Sequence, residues 1–153
     1  MKKFFYNFPL GKIWVAEKDG KICRIFYHDE YDCELAETPL IKETSKQLFE
    51  YFSGKRQYFN FPILIEGTEF QKKVWNALMT IPYGKTVCYG DIAKQIGQPK
   101  ASRAVGGANN KNRIPIIIPC HRVIGTSGKL VGYADGLEKK EFLLNLEFKY
   151  SQK

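Results

Sequence analysis

The hydrophobic period changes once along this chain, and that change limits the folds open to it. Through Ile65 the apolar residues fall in short runs broken by turn residues, whereas from Thr68 they recur at three- and four-residue spacing. FFYNF, KIWVAE and KICRIFYH read as three strands, with Pro9-Leu10-Gly11 and Lys18-Asp19-Gly20 as the turns of a meander. Pro39 to Phe52 then reads as a helix with the stripe Leu40, Ile41, Leu48, Phe49 and Phe52, closed by Ser53-Gly54. FNFPILI reads as one more strand. Nothing here gathers a nucleophile, a base and an acid, so residues 1–66 are expected to form a supporting domain.

A second domain, residues 67–153, is expected to open at Thr68, where T-x-x-Q (Thr68, Gln71) forms a capping box ahead of the stripe Phe70, Val74, Trp75 and Leu78. Pro82 and Gly84 end that helix. Asp91 to Ile96, the turn Gly97-Gln98-Pro99-Lys100 and a second short helix from Ala101 to Ala108 suggest a helix-turn-helix. The second of these helices, ASRAVGGA, is built almost wholly of small residues, and Gly106 and Gly107 weaken it. Small side chains let a helix lie deep in a narrow groove while one long cation, Arg103, enters a base stack. They also suit a helix pressed against another element of the same chain.

Charge separates the halves as well. The 153 residues carry a formal +8; residues 1–65 hold ten Lys/Arg against nine Asp/Glu, and residues 66–153 hold fourteen against seven. Nearly all the excess lies in the second half, where it attracts a polyanion, nucleic acid above all. The opening MKKFFYNFPLGK is interrupted by Asn7, Pro9, Gly11 and Lys12 before any signal-type apolar core forms. No stretch approaches the roughly 18 apolar residues of a membrane span, so an intracellular protein with no membrane partner is expected. Cys23, Cys33, Cys88 and Cys120 contain no CxxC pair and suit reduced thiols. Cys23, His28 and Cys33 offer three ligands without a paired knuckle, and no metal is expected there.

The chemistry concentrates in NRIPIIIPCHRV, residues 112–123. Pro115 and Pro119 restrict their neighbours to extended backbone, which predicts a stiff run holding Cys120 in a fixed place. A free thiol has a pKa of about 8.5 and ionises only by a few per cent at neutral pH, so a base is needed; the imidazole of His121 and the guanidinium of Arg122 both favour the thiolate. In extended backbone, neighbouring side chains face opposite ways, so a bridging water is expected to link Cys120 to His121. The imidazole then needs a carboxylate on its far side. Spacing leaves Asp135, Glu138, Glu141 and Glu147 open for that role.

PCHRV at 119–123, together with RAVGGA at 103–108 and KTVCYGDIA at 85–93, resembles the O6-alkylguanine-DNA alkyltransferases, also called methylated-DNA–protein-cysteine methyltransferases. The resemblance is strongest from Phe70 to Glu147 and looser but colinear before it. It implies an α+β chain: an N-terminal ribonuclease-H-like α/β domain without catalysis of its own, then a mainly helical winged helix-turn-helix domain bearing the active site. Cys120 matches the alkyl acceptor, His121 the water-linked base, Glu147 the carboxylate completing the relay, and Asn112 the asparagine that stabilises the active-site turn. Tyr89 matches the tyrosine that rotates the target nucleotide and polarises the departing guanine, and Arg103 the finger that fills the vacated stack. Ala101, Ser102 and Gly106 join Arg103 and Tyr89 on the DNA-facing surface, while Val123, Tyr133 and Ala134 wall the base pocket.

The implied reaction is direct reversal. A monomer enters the minor groove of double-stranded DNA, flips out O6-alkylguanine and takes the alkyl group onto Cys120 once, without a cofactor and without regeneration. O4-alkylthymine is a second substrate that the family pattern leaves open. The expected place is the cytoplasm, or the nucleus in a eukaryote. Arg113 stands where the family often has proline after the asparagine. Competing readings are a non-catalytic lesion sensor of the same fold, which lacks the acceptor cysteine, a cysteine hydrolase, and a helix-turn-helix regulator, which needs longer side chains to read base edges.

Overall fold

A computed structural model of the chain describes residues 1–126, 128 and 132–152. It divides into two compact units, Met1–Glu66 and Gly67–Lys153. In the first, β1 (Lys2–Phe8), β2 (Gly11–Lys18) and β3 (Lys21–Phe26) form the antiparallel meander read from the sequence. Asp19 and Gly20 both take positive φ (54° and 73°), the backbone a two-residue hairpin requires. A short β4 (Glu34–Leu35), which the sequence pattern misses, pairs parallel with β1 and gives the sheet order β3-β2-β1-β4.

Helix α1 (Pro39–Phe52) starts at Thr38, whose hydroxyl accepts from Ile41 N at 3.1 Å, with Pro39 in the first turn, where a missing N–H costs nothing. Its buried face is Ile41, Leu48, Tyr51 and Phe52. Phe49, assigned to that stripe from sequence, packs its ring at a tilt against Phe8 but stays 47% exposed. The other side of the sheet carries a second cluster, Trp14, Ala16, Cys23 and Phe26, packed with Phe5, Tyr31 and Leu64. FNFPILI is not a strand: it reduces to one bridge, Ile22 with Ile63, made by Ile22 N to Pro62 O and Leu64 N to Ile22 O. Pro62 has no N–H to extend a ladder.

In the second unit, α2 (Glu69–Leu78) begins with the capping box as read, Gln71 N to Thr68 Oγ1 at 3.1 Å and Thr68 N to Gln71 Oε1 at 3.0 Å. It buries Val74, Trp75, Ala77 and Leu78, and the indole of Trp75 donates to Ala108 O at 2.9 Å. β5 (Val87–Cys88) leads directly into α3 (Tyr89–Gln95), and a turn through Gly97 leads to α4 (Ser102–Asn110). A single 3₁₀ turn, Cys120–Arg122, then opens into β6 (Val123–Ile124), which pairs parallel with β5. α5 (Leu137–Ser151) closes the unit; its inward stripe is Lys140, Leu143 and Glu147, two charges of three. Among the described residues no helix is long and apolar enough to cross a membrane.

Candidate active site

The run before Cys120 is a folded turn, not the extended segment its prolines suggest. Asn112 staples it: Nδ2 donates to Ile118 O at 2.7 Å and Oδ1 accepts from Ile114 N at 3.0 Å. Ile118 N reaches back to Ile114 O at 2.9 Å. Ile116 in the middle takes φ of 75°, an outlier for a β-branched residue that costs about 1–3 kcal/mol and persists because these bonds over-determine it. The Asn112 staple forms with exposed Arg113 in the place of the family's proline. Cys120 therefore sits on a tight 3₁₀ turn, with its N–H held by Ile118 O at 2.7 Å.

That turn points its next two side chains at one carboxylate on α5. His121 Nε2 and Glu147 Oε2 are 2.7 Å apart; Arg122 donates through Nε to Glu147 Oε1 at 2.8 Å and through Nη2 to Oε2 at 2.9 Å. Arg122 Nη1 is tied to Ile81 O, and Gly84 N donates to Glu147 Oε1. His121 is 0% exposed and Glu147 1%. Burial alone would raise the Glu147 carboxyl, but pairing with His121 and the Arg122 hydrogen bonds hold it well below the usual carboxylate range. Burial lowers the His121 imidazole, an effect Glu147 offsets only in part. The resting arrangement is therefore a carboxylate accepting from a neutral imidazole, whose proton is on Nε2 and whose Nδ1 is a bare acceptor.

Cys120 is 5% exposed, and burial pushes its thiol up to about 11, against the opposing pull of the Asn112 hydrogen bond. Asp135 adds to the rise and Lys140 works against it. Arg122 does not serve the thiol as the sequence suggests, because its guanidinium is committed to Glu147. Lys140, 0% exposed, donates Nζ to Val123 O, and burial lowers it to about 8. A thiol in this setting stays protonated until a base draws its proton away.

Residues 1–65 match the 6-O-methylguanine DNA methyltransferase ribonuclease-like domain, and residues 69–149 match the DNA binding domain of the same proteins. Over 148 residues the chain is 65% identical to the methylated-DNA–protein-cysteine methyltransferase of Methanosarcina acetivorans, covering 93% of this chain and 95% of that protein. The chain belongs to the methylated-DNA–protein-cysteine methyltransferase family. The constitutive family member of Bacillus subtilis is 48% identical over 149 residues, 91% of this chain and 90% of that one. Mycobacterium tuberculosis OGT, solved in complex with DNA, superimposes with a TM-score of 0.91 at 41% identity, over 98% of this chain and 94% of that one. The two-part α+β architecture implied by the sequence resemblance is that of the family.

Of the family positions carried over from sequence, Cys120, His121 and Glu147 lie together in this buried core, and half-buried Asn112 staples the turn that leads to it. Tyr89 begins α3 next to it; its ring lies 3.8 Å from where a Cβ on Gly106 would stand, and its hydroxyl 2.7 Å from where one on Gly132 would. Burial, and then the charge of a Cys120 thiolate, raises the Tyr89 phenol, which keeps it a donor. Val123 is buried on β6 and Tyr133 is buried at the turn closed by Gly136 N to Tyr133 O, while Ala134 is exposed. Arg103 lies apart from the core, exposed on α4; Ala101, Ser102 and Gly106 are half-buried around it. Three polar residues at this core have roles the sequence did not assign: Arg122 as the Glu147 clamp, Lys140, and Asn109, whose Nδ2 donates to Cys120 O at 3.4 Å. The only signal for Lys140 is spacing, since Lys140, Leu143 and Glu147 at i, i+3 and i+7 share a helix face.

Proposed function

We propose that this chain repairs DNA by accepting on Cys120 the alkyl group of O6-alkylguanine, in one irreversible transfer. The observation that carries this reading is the buried line from the Cys120 turn through His121 to Glu147, clamped by Arg122. It supplies what a buried thiol of high pKa needs, a base whose protonated form is stabilised by a carboxylate. The thiol proton passes through a water to His121 Nδ1. The thiolate sulfur then forms a bond to the alkyl carbon as the carbon–O6 bond breaks, and the electron pair leaves with guanine. Tyr89, held protonated, hydrogen-bonds to the guanine ring and spreads the charge of the departing group, which is neutralised by the proton that His121 took from the thiol once solvent reaches the site. The product is a thioether, which water does not cleave under these conditions, so each chain acts once. Every atom comes from the thiol, the relay and the substrate, and the reaction requires no cofactor.

Binding is to double-stranded DNA by a monomer, from the minor groove. The exposed stripe of α4, Arg103, Ala104 and Gly107, offers one long cation on a flat bed of small residues. Arg103 fills the stack after the nucleotide flips, while Ala101, Ser102 and Gly106 let the DNA backbone approach. Val123, Tyr133 and Ala134 wall the pocket for the flipped base. Residues 1–66 support this domain without chemistry of their own, and the protein works where DNA is, in the cytoplasm or a nucleus.

The test is intact-protein and peptide mass spectrometry after incubation with duplex DNA containing O6-methylguanine. We expect one methyl on the Cys120 peptide, saturating at one equivalent, and a Cys120→Ala variant that still binds the duplex but takes no methyl. Tight binding by the unaltered chain with no adduct, on intact lesion DNA, points instead to a lesion sensor of this fold. Continued product release beyond one equivalent points to a hydrolase.

A further inference from the structure

Two buried polar atoms on residues that adjoin Cys120 have no hydrogen-bonding partner among the described residues, Oδ1 of Asn109 and Nδ1 of His121. Asn109, 2% exposed, is the last residue but one of α4, and its Nδ2 donates to the carbonyl of Cys120. A carbonyl can only accept, so this contact fixes the orientation of the amide and leaves Oδ1 as the unused acceptor. His121 is fixed in the same way, because Glu147 accepts at Nε2 and Nδ1 is left bare. The two leftover atoms are thus both acceptors, one on the amide whose Nδ2 holds the Cys120 carbonyl and one on the residue that follows Cys120, and neither can satisfy the other. A water brings two O–H donors and two lone pairs, which matches two bare acceptors and one thiol S–H.

We propose that Asn109 is a positioning residue of the proton relay, its Oδ1 and His121 Nδ1 together holding one buried water that receives the Cys120 proton. The S–H bond breaks as an O–H bond forms on that water, and another O–H of the same water breaks as an N–H bond forms on His121. The products are a thiolate and an imidazolium paired with Glu147, and the water is unchanged. Because Asn109 belongs to α4, the helix that carries Arg103 also sets the thiol's proton path. This deepens the alkyl-acceptor reading and rests on it for the DNA arm of the test alone.

The charged and titratable groups facing Cys120 and His121 are Lys140 and Glu147 from α5, Asp135 from the turn before it, Tyr89 from α3, and Arg122 from the same segment. All of them remain in an Asn109 variant. The experiment follows brief iodoacetamide labelling of the Cys120 peptide by mass spectrometry from about pH 6 to about pH 12, spanning the folded thiol's titration, alongside methyl transfer from O6-methylguanine duplex. It uses the full chain and its Asn109→Leu and Asn109→Ser variants. For Asn109→Leu we expect the apparent thiol pKa to rise by about one unit and labelling at neutral pH to fall about tenfold, with the loss recovered at high pH. Asn109→Ser, which keeps an acceptor, should fall between. If Asn109→Leu does not fold, the smaller shift in Asn109→Ser decides. An unchanged pH profile, or a loss equal at every pH, overturns the relay role. Normal thiol titration in an unaltered chain that takes no methyl from DNA would instead remove the repair reading and leave the relay standing.

Discussion

Burial holds Cys120 as a thiol at rest, and that has a consequence for stability that can be separated from catalysis. A group whose pKa is raised by folding stabilises the fold fully below its unfolded value and loses that contribution as pH rises through the folded one. Here the window runs from the ordinary thiol value of 9.0 to about 11. Two units correspond to roughly 2–3 kcal/mol. Lys140 acts in the opposite sense: lowered to about 8, it sheds its proton in the folded state before the unfolded chain does, so its contribution rises with pH. Urea unfolding at both ends of the window should therefore show the unaltered chain losing about 2 kcal/mol relative to Cys120→Ala, in which Lys140 is kept. Parallel losses in both proteins would mean that the thiol is not held neutral. The same residues show what sequence can tell of a site. Cys120 and His121 stand out because PCHRV places a thiol beside an imidazole. Glu147 is one of four carboxylates until the resemblance singles it out, and nothing in the sequence marks Lys140, because charged residues in a helix read as its outer face.

At the level of elements, α4 carries the clearest conflict between local stability and use. Its sequence is a poor helix former, yet a Cβ on Gly107 would meet nothing within 4 Å, so packing inside the protein does not require the glycine. The remaining reason is what lies outside. Gly107→Leu should stabilise the fold by up to about 1 kcal/mol through helix propensity, seen as a higher Tm, while methyl transfer from duplex DNA falls at least tenfold and reaction with free O6-benzylguanine is unchanged. Arg103→Ala should show the same split between duplex and free base without the gain in Tm. Equal loss on both substrates in either variant would remove α4 from the DNA surface. Elements whose signals are local, the β2–β3 hairpin at Asp19-Gly20 and the Thr68 capping box, were legible in the sequence. FNFPILI reads as a strand but forms one bridge, because alternation alone does not supply a partner strand, and β4 is invisible in the sequence because two residues are too few to show a period. The turn before Cys120 is not legible in its prolines, because the Asn112 staple depends on side-chain bonds that proline rules do not include.

Across the whole molecule the charge is unevenly shared, and for a protein that acts once the search for damage matters as much as the chemistry. Residues 66–153 carry an excess of seven positive charges and residues 1–65 an excess of one. Lys100 and Lys111 bracket α4, both exposed, and among the described residues neither has a carboxylate partner. Cations at the two ends of a helix that faces DNA, as proposed for α4, are placed to meet phosphates and release counterions, which gives sequence-independent affinity and lets a protein scan undamaged duplex. Binding to undamaged DNA should therefore weaken steeply with salt, the slope of log K against log salt being about −0.9 for each phosphate engaged. Replacing both Lys100 and Lys111 by Gln should make that slope shallower by roughly one to two and weaken binding to all sequences alike. Replacing Lys42 and Lys46, exposed on α1 in the near-neutral first unit, should leave the slope where it was. Equal changes in the two pairs would mean that net charge alone attracts DNA. A change confined to the α4 pair would place the scanning surface on the same helix that delivers Arg103 to the lesion and Asn109 to the thiol.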